Sequence, residues 1–206
     1  MGSEIMEFIK EIIIPEEILE DCRRTIPTAE LIKDEELREK VIRAWAWSLF
    51  DNGYKSLDQL PGNGNPDGPE IGTQAMHING VARLAVKIMD DIVDVTENMF
   101  DVDRDLLVAA ALCHDIGKPF ESAPENRSRW EADSKVSGLP ALRHPAAGAY
   151  VAFVMDLPEV VMHTAGCHSP EGRFVTRSLI TTIVNAADEG YWRIVERAND
   201  ITVVPM

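Results

Sequence analysis

Five histidines, His77, His114, His144, His163 and His168, all lie beyond residue 76 of a 206-residue chain. One stands in the run Cys113-His114-Asp115-Ile116-Gly117-Lys118, where an apolar stretch ends. Imidazole nitrogen and carboxylate oxygen together suit zinc, iron, manganese or nickel. A buried His-Asp dipeptide is costly without a partner. Neighbouring residues on a helix diverge by about 100°, so His114 and Asp115 can share one ion only near a helix end or through a suitable rotamer. Ile116-Gly117 supplies that end: Gly117 reads as a C-cap glycine, and Pro119 stops continuation. The plain alternative is a hydrogen-bonded His114 beside a solvated Asp115. Asp188 shifts the balance toward a metal site. It sits in Ile183-Val184-Asn185-Ala186-Ala187-Asp188, near the middle of an expected helix, where an unpaired carboxylate would be expensive.

The elements that must carry these residues read as helices almost throughout. Residues 4–20 form one helix, interrupted at Pro15. Pro27-Thr28 offers a start, and 34–50 places Leu37, Val41, Ile42, Trp45 and Leu49 on one face. Residues 51–73, rich in glycine and proline, form a long irregular connection. Helices are expected over 74–99, 103–115, 145–156, 158–168 and 174–199, with 118–143 polar and turn-rich. Only Ile201–Val204 alternates like a strand. The fold class is all-α, a helical bundle with an N-terminal helical extension. Residues 1–73 form helices and a loop packed on a core domain of 74–206, one compact unit.

Composition narrows the function classes. The chain is 45% apolar and 27% charged, and 20 basic against 35 acidic residues leave a net charge of -15. Such a field repels phosphate backbones and anionic bilayers, which argues against nucleic-acid and membrane partners. No apolar run reaches the roughly 20 residues that span a bilayer. Charges interrupt the N-terminal segment MGSEIMEFIKEIII, so it does not read as a signal peptide. The three cysteines form no CxxC pair and suit a reducing cytoplasm, the expected location. Several motifs fail. GNGNPDG at 62–68 is not a dinucleotide fingerprint, and Asp101, Asp103 and Asp105 lack the glycine and glutamate of a calcium loop.

His77, then His114-Asp115, then Asp188, each on a separate helix, resembles the HD-domain superfamily of metal-dependent phosphohydrolases. The segment LLVAAALCHDIGKP is similar to that family's central motif in its HDIGK form. The resemblance covers about residues 74–190. It implies that His77, His114, Asp115 and Asp188 bind a divalent metal. A binuclear subset of the family adds two histidines between the motif and the last aspartate. His144 and His168 fit it, with Asp115 bridging two ions. His163 and His168 point about 140° apart on a regular helix. His168 is preferred because it stands at a helix end before Ser169-Pro170, and His163 is read as a helix-face residue. Cys113 and Cys167 are read as small buried residues rather than ligands. The metal, one or two ions of Fe, Mn, Ni, Zn or Mg, is not specified.

The resemblance also implies chemistry. Two ions activate a water and orient a phosphoryl oxygen for in-line displacement. Asp115 and Lys118 are the catalytic candidates, with Lys118 also facing substrate phosphate. The alternative for Lys118 is an exposed C-cap lysine beside the helix dipole. Residues 118–144 hold five basic and four acidic side chains, against seven and twelve in the first 50. That locally non-acidic loop could admit an anionic substrate, and Arg143 is the best second phosphate contact. The expected activity is hydrolysis of a phosphate ester of a nucleotide or small metabolite. The alternatives are a di-iron oxygenase on the same ligands and a non-catalytic sensing module. The oligomeric state, a homodimer included, is left open.

Overall fold

The computed structural model describes residues 13–62 and 71–201. Helix α1 is Glu16–Thr25, followed by a 3-10 turn at Pro27–Leu31 and α2 at Glu35–Asp51. After a 3-10 turn at Leu57–Gln59 come α3 (Gln74–Val95) and α4 (Arg104–Cys113). Three short helices follow: α5 (Lys118–Ser122), α6 (Pro124–Ala132) and α7 (Ser134–Ser137). The chain closes with α8 (His144–Val154), α9 (Glu159–Cys167), a 3-10 turn at Pro170–Phe174, and α10 (Leu179–Ala198). Among the described residues the only β pairing is an isolated antiparallel bridge between Pro61 and Thr73. The fold is all-α.

Side-chain caps set the main helix starts. Asp34, Thr73, Asp103 and Ser178 accept hydrogen bonds from backbone N–H groups of α2, α3, α4 and α10. Each such cap contributes about 1 kcal/mol. Asp103 and Asp105 thus have structural work. Asp103 caps α4, and Asp105 accepts the N–H groups of Lys33 and Asp34 at 3.0 and 2.8 Å.

Several boundaries differ from the sequence reading. The expected helix over 4–20 is described only from its second half, where Pro15 is the N-cap and the helix runs on to Thr25. Residues 118–143 are largely helical rather than turn-rich. Pro119 and Pro124 sit in the first turns of α5 and α6, where a proline costs nothing because that N–H has no intrahelical partner. The last long helix begins at Leu179, not 174, because Ser178 caps it. Helix α3 stops at Val95, with Glu97 and Asn98 at positive φ. Ile201 has no regular structure, and the rest of the strand-like segment and most of GNGNPDG lie outside the described residues.

One hydrophobic cluster runs from Ile14 to Ala187. The expected face of α2, Leu37, Val41, Ile42, Trp45 and Leu49, is buried. Past its first turn helix α4 is enclosed on every side: Leu107 through Cys113 are all 0% exposed. A stretch apolar on all faces needs that environment, and it drives the His-Asp pair at its end into the interior.

Candidate metal centre

Four of the candidate residues stand at helix ends. His114 follows the last residue of α4, and Asp115 comes next in the turn. His144 is the first residue of α8, and His168 follows the last residue of α9. His77 and Asp188 project from within α3 and α10. His114 itself keeps helical dihedrals, with φ -56° and ψ -38°. Past it the α-helical pattern gives way to tighter turns, Ile116 N–H donating to Cys113 O and Lys118 N–H to Asp115 O, and His114 and Asp115 face the same space.

The structure brings all six together. His77 Nε2 lies 3.3 Å from Asp115 Oδ2, 3.3 Å from Asp188 Oδ1 and 3.1 Å from His114 Nε2. His114 Nε2 is 3.6 Å from Asp115 Oδ2 and 3.8 Å from Asp188 Oδ1. The other oxygen of Asp115 looks elsewhere: Oδ1 is 3.2 Å from His144 Nε2 and 3.6 Å from His168 Nε2. His163 stands apart, its Nε2 accepting the Ser178 N–H at 3.2 Å. Cys113 is fully buried, and burial pushes its thiol pKa up.

The tautomers follow from the partners. A carbonyl oxygen only accepts, so Nδ1 of His114 donates to Ala111 O at 2.7 Å, and Nδ1 of His168 donates to Thr164 and Ala165 O at 3.1 and 3.2 Å. Glu121, held ionised, takes the Nδ1–H of His144 at 2.7 Å. In all three rings the Nε2 lone pair therefore points at the carboxylates, the form in which imidazole binds a metal. His77 stacks on Trp192 at a centroid distance of 4.9 Å, with Tyr191 edge-on at 5.1 Å.

Burial and charge oppose each other here. Burial lowers the pKa of His114 and His144 to about 4, so both rings are neutral at pH 7. Burial would lower His77 too, but the adjacent carboxylates of Asp115 and Asp188 outweigh it and raise the pKa to about 9. Burial would raise both carboxyls. The charge of Lys118 and the surrounding imidazoles hold Asp115 well below the ordinary range, and His77 holds Asp188 at about 2. Asp188 Oδ1 is nevertheless buried with no hydrogen-bond partner among the described residues. An orphaned carboxylate oxygen beside inward-facing imidazole nitrogens is a donor set for a divalent cation. Two sets of donor atoms, from His77, His114 and Asp188 and from His114, Asp115 and His168, each lie within 4.8 Å of one another.

Residues that the sequence reading passed over hold this cluster in place. Gln74 Nε2 donates to Asp115 Oδ2 at 2.9 Å. Trp45 Nε1 and Ser48 Oγ of α2 donate to the carbonyls of Leu112 and Ile116 at 3.0 and 2.7 Å, pairing groups that the broken helix leaves free. Arg177 and Asn185 donate to the carbonyls of Cys167, His168 and Ser169 around the other histidine-bearing turn. Gln74 is three residues before His77 and Asn185 three before Asp188, so helical spacing puts each on a ligand's face. Arg177 carries no such signal.

One local expectation, for Gly117, and the alternative reading of Lys118 are corrected. Gly117 is not a left-handed C-cap: its φ is -87°. It is glycine because a Cβ would stand 2.1 Å from His144 O and 2.4 Å from Gly148 N. Lys118 is not a C-cap lysine either. It opens α5 and is half-buried, and a cation at a helix start gains nothing from the dipole. Arg143 is half-exposed, with Nε 3.5 Å from Glu121 and 3.4 Å from Glu171.

The HD domain model matches residues 75–189, the span that contains all six clustered residues. The chain belongs to the HD-domain family. Among curated relatives, this HD protein is 30% identical over 189 residues to the dihydroneopterin 2',3'-cyclic phosphate phosphodiesterase of Methanocaldococcus jannaschii. That alignment covers 87% of this chain and 71% of the relative. No solved structure matches. With the buried His/Asp cluster, these similarities make the HD chain a metal-dependent phosphohydrolase. No described helix is long and apolar enough to cross a membrane.

Proposed function

We propose that the chain hydrolyses a small phosphodiester, a cyclic phosphate of a nucleotide-like or pterin-type alcohol, at a site for two divalent ions. One observation carries the two-ion reading. Asp115 turns Oδ2 toward His77 and His114 and Oδ1 toward His144 and His168, so one carboxylate faces two donor groups. His77, His114, Asp115 and Asp188 would hold one ion, and Asp115, His144 and His168 the other. The bound ions supply Lewis-acid activation of a water and of the phosphoryl oxygen. The substrate class follows the curated relative, a cyclic-phosphate phosphodiesterase. Water adds to phosphorus, one ester P–O bond breaks, and a ring-opened monoester and a proton leave.

The chain's own residues complete the site. Lys118 stands beside Asp115 and faces negative charge that builds on the phosphoryl group. Arg143 is the weaker contact, because a phosphate competes for it with Glu121 and Glu171. The burial of His77, His114, His144 and His168 keeps bulk water away from the donor atoms. We read the whole chain as one compact unit acting in the cytoplasm on a small anionic substrate.

The test is metal analysis of freshly purified protein, then an assay with 2',3'-cyclic nucleotides and p-nitrophenyl phosphate esters. The reading expects chelator-sensitive ring opening to a monoester and up to two ions per chain. Release of inorganic phosphate from monoesters with no diester cleavage would overturn the substrate class. Dioxygen consumption without phosphoryl transfer would favour the oxygenase.

A further inference from the structure

His114 and His168 are oriented by carbonyls one turn earlier on their own helices. His144 has no such turn. It is the first residue of α8, and its N-cap, Arg143, makes no side-chain capping bond. The acceptor must come from elsewhere in the chain. Glu121, on α5 and 23 residues earlier, supplies it: one oxygen, Oε2, accepts both the backbone N–H of His144 and its Nδ1–H, the latter at 2.7 Å.

We propose that Glu121 is the positioning residue of the second half of the site, fixing the His144 ring so that Nε2 faces Asp115 Oδ1. The proposal rests on the two-ion reading above. Two donors of one residue meeting one oxygen fix both the start of α8 and the ring torsion. The proton is thereby kept on Nδ1, and the lone pair of Nε2 stands 3.2 Å from Asp115 Oδ1. Two acceptors at that distance repel unless they share a cation. The other oxygen of Glu121 faces Arg143 Nε at 3.5 Å, which holds the carboxylate from its far side. A carboxylate behind a ligating histidine typically changes metal affinity by about 10–100-fold.

The experiment titrates Mn²⁺ into wild-type protein, Glu121→Ala and Glu121→Gln, reading stoichiometry and stepwise affinity by equilibrium dialysis, with melting temperature beside them. In Glu121→Ala the first ion should bind as in wild type and the second about 10–100-fold more weakly. Glu121→Gln, whose amide oxygen still accepts, should recover most of that loss. A purely structural cap predicts a lower melting temperature with the second affinity unchanged; that result, in a wild type that takes two ions, overturns the role of Glu121 alone. A wild type that saturates at one ion overturns the two-ion reading and this proposal with it. Should Glu121→Ala fail to fold, imidazole ¹⁵N spectra of the zinc-saturated wild type still decide. A protonated Nδ1 on His144 supports the proposal, and a protonated Nε2 overturns it.

Discussion

Asp115, in the turn after α4, meets His144, the first residue of α8: Oδ1 of the first lies 3.2 Å from Nε2 of the second. Oδ2 of the same carboxylate points to His77 at 3.3 Å. Removing that carboxylate disconnects both donor groups at once. Asp115→Ala should cost more metal affinity than the about 10–100-fold typical of an outer partner, and turnover should fall to background. Elemental analysis after gel filtration, with circular dichroism to confirm folding, checks it. Full metal content and activity in the variant would remove Asp115 from the site.

The motif at 113–118 was legible because an apolar run ending in His-Asp cannot be buried cheaply, and the one-face pattern of α2 was legible from its period. The reason for Gly117 was not. A glycine before Lys-Pro looks like a helix stop, yet what requires it is the backbone of residues 144 and 148, which no local pattern encodes. Glu121 was hidden in the same way. Within a polar segment it reads as solvated charge, and only the tertiary packing of α5 against α8 reveals its contact with His144. Where helical spacing reaches a ligand, as from Gln74 to His77, the supporting residue could have been found. Where the contact crosses elements, as from Trp45 to Leu112, it could not.

The His77 pKa gives a pH signature. It is raised to about 9 in the folded, metal-free protein against 6.5 ordinarily, so its contribution to stability is fully present below about pH 6.5. That contribution is lost as pH rises through about 9. A cation that binds Nε2 must displace this proton. At pH 7.5 the first ion should release about one proton, while His114 and His144, already neutral, release none. Calorimetric titration in buffers of different ionisation enthalpy measures this directly. Zero protons released would show that His77 is neutral or does not ligate.

Acid should act on the other face of the site. Glu121 titrates at about 2 in the fold against 4.5 ordinarily; burial raises it, and the His144 contacts more than reverse that. Its stabilisation is present above about pH 4.5 and is lost as pH falls through about 2. Chelated Glu121→Gln should therefore lose less stability than wild type between pH 4.5 and 2, read by denaturant melts at each pH. Parallel curves for the two proteins would sever the link between Glu121 and His144.

Gly117 tests the packing that brings α8 to the motif. Its φ of -87° suits any residue, so alanine brings no backbone strain. The added Cβ would instead meet His144 O at 2.1 Å and must push α8 away. Overpacking of this kind costs about 1–3 kcal/mol. Gly117→Ala should lower stability by that amount in urea and weaken the second ion more than the first. Unchanged stability would mean that α8 shifts freely, and that this approach does not position His144.

Lys118 separates electrostatic catalysis from helix stability more sharply than the sequence allowed. As the opening residue of α5 it cannot serve as a C-terminal counter-charge, yet it is half-buried and its charge depresses the Asp115 carboxyl. Placing a cation where it gains nothing from the dipole needs another reason, and the negative phosphoryl group of a substrate is one. An ammonium is not a metal ligand, so Lys118→Met should keep its ions. Turnover should fall roughly 10²-fold, the loss typical of one electrostatic contact made in the transition state. Loss in kcat with KM nearly constant marks an interaction that strengthens as charge develops, whereas a rise in KM alone marks ground-state phosphate binding. Metal content, melting temperature and the two kinetic constants, measured on whichever cyclic phosphate the assay identifies, decide between them. Unchanged kinetics would leave Lys118 with no part in the chemistry.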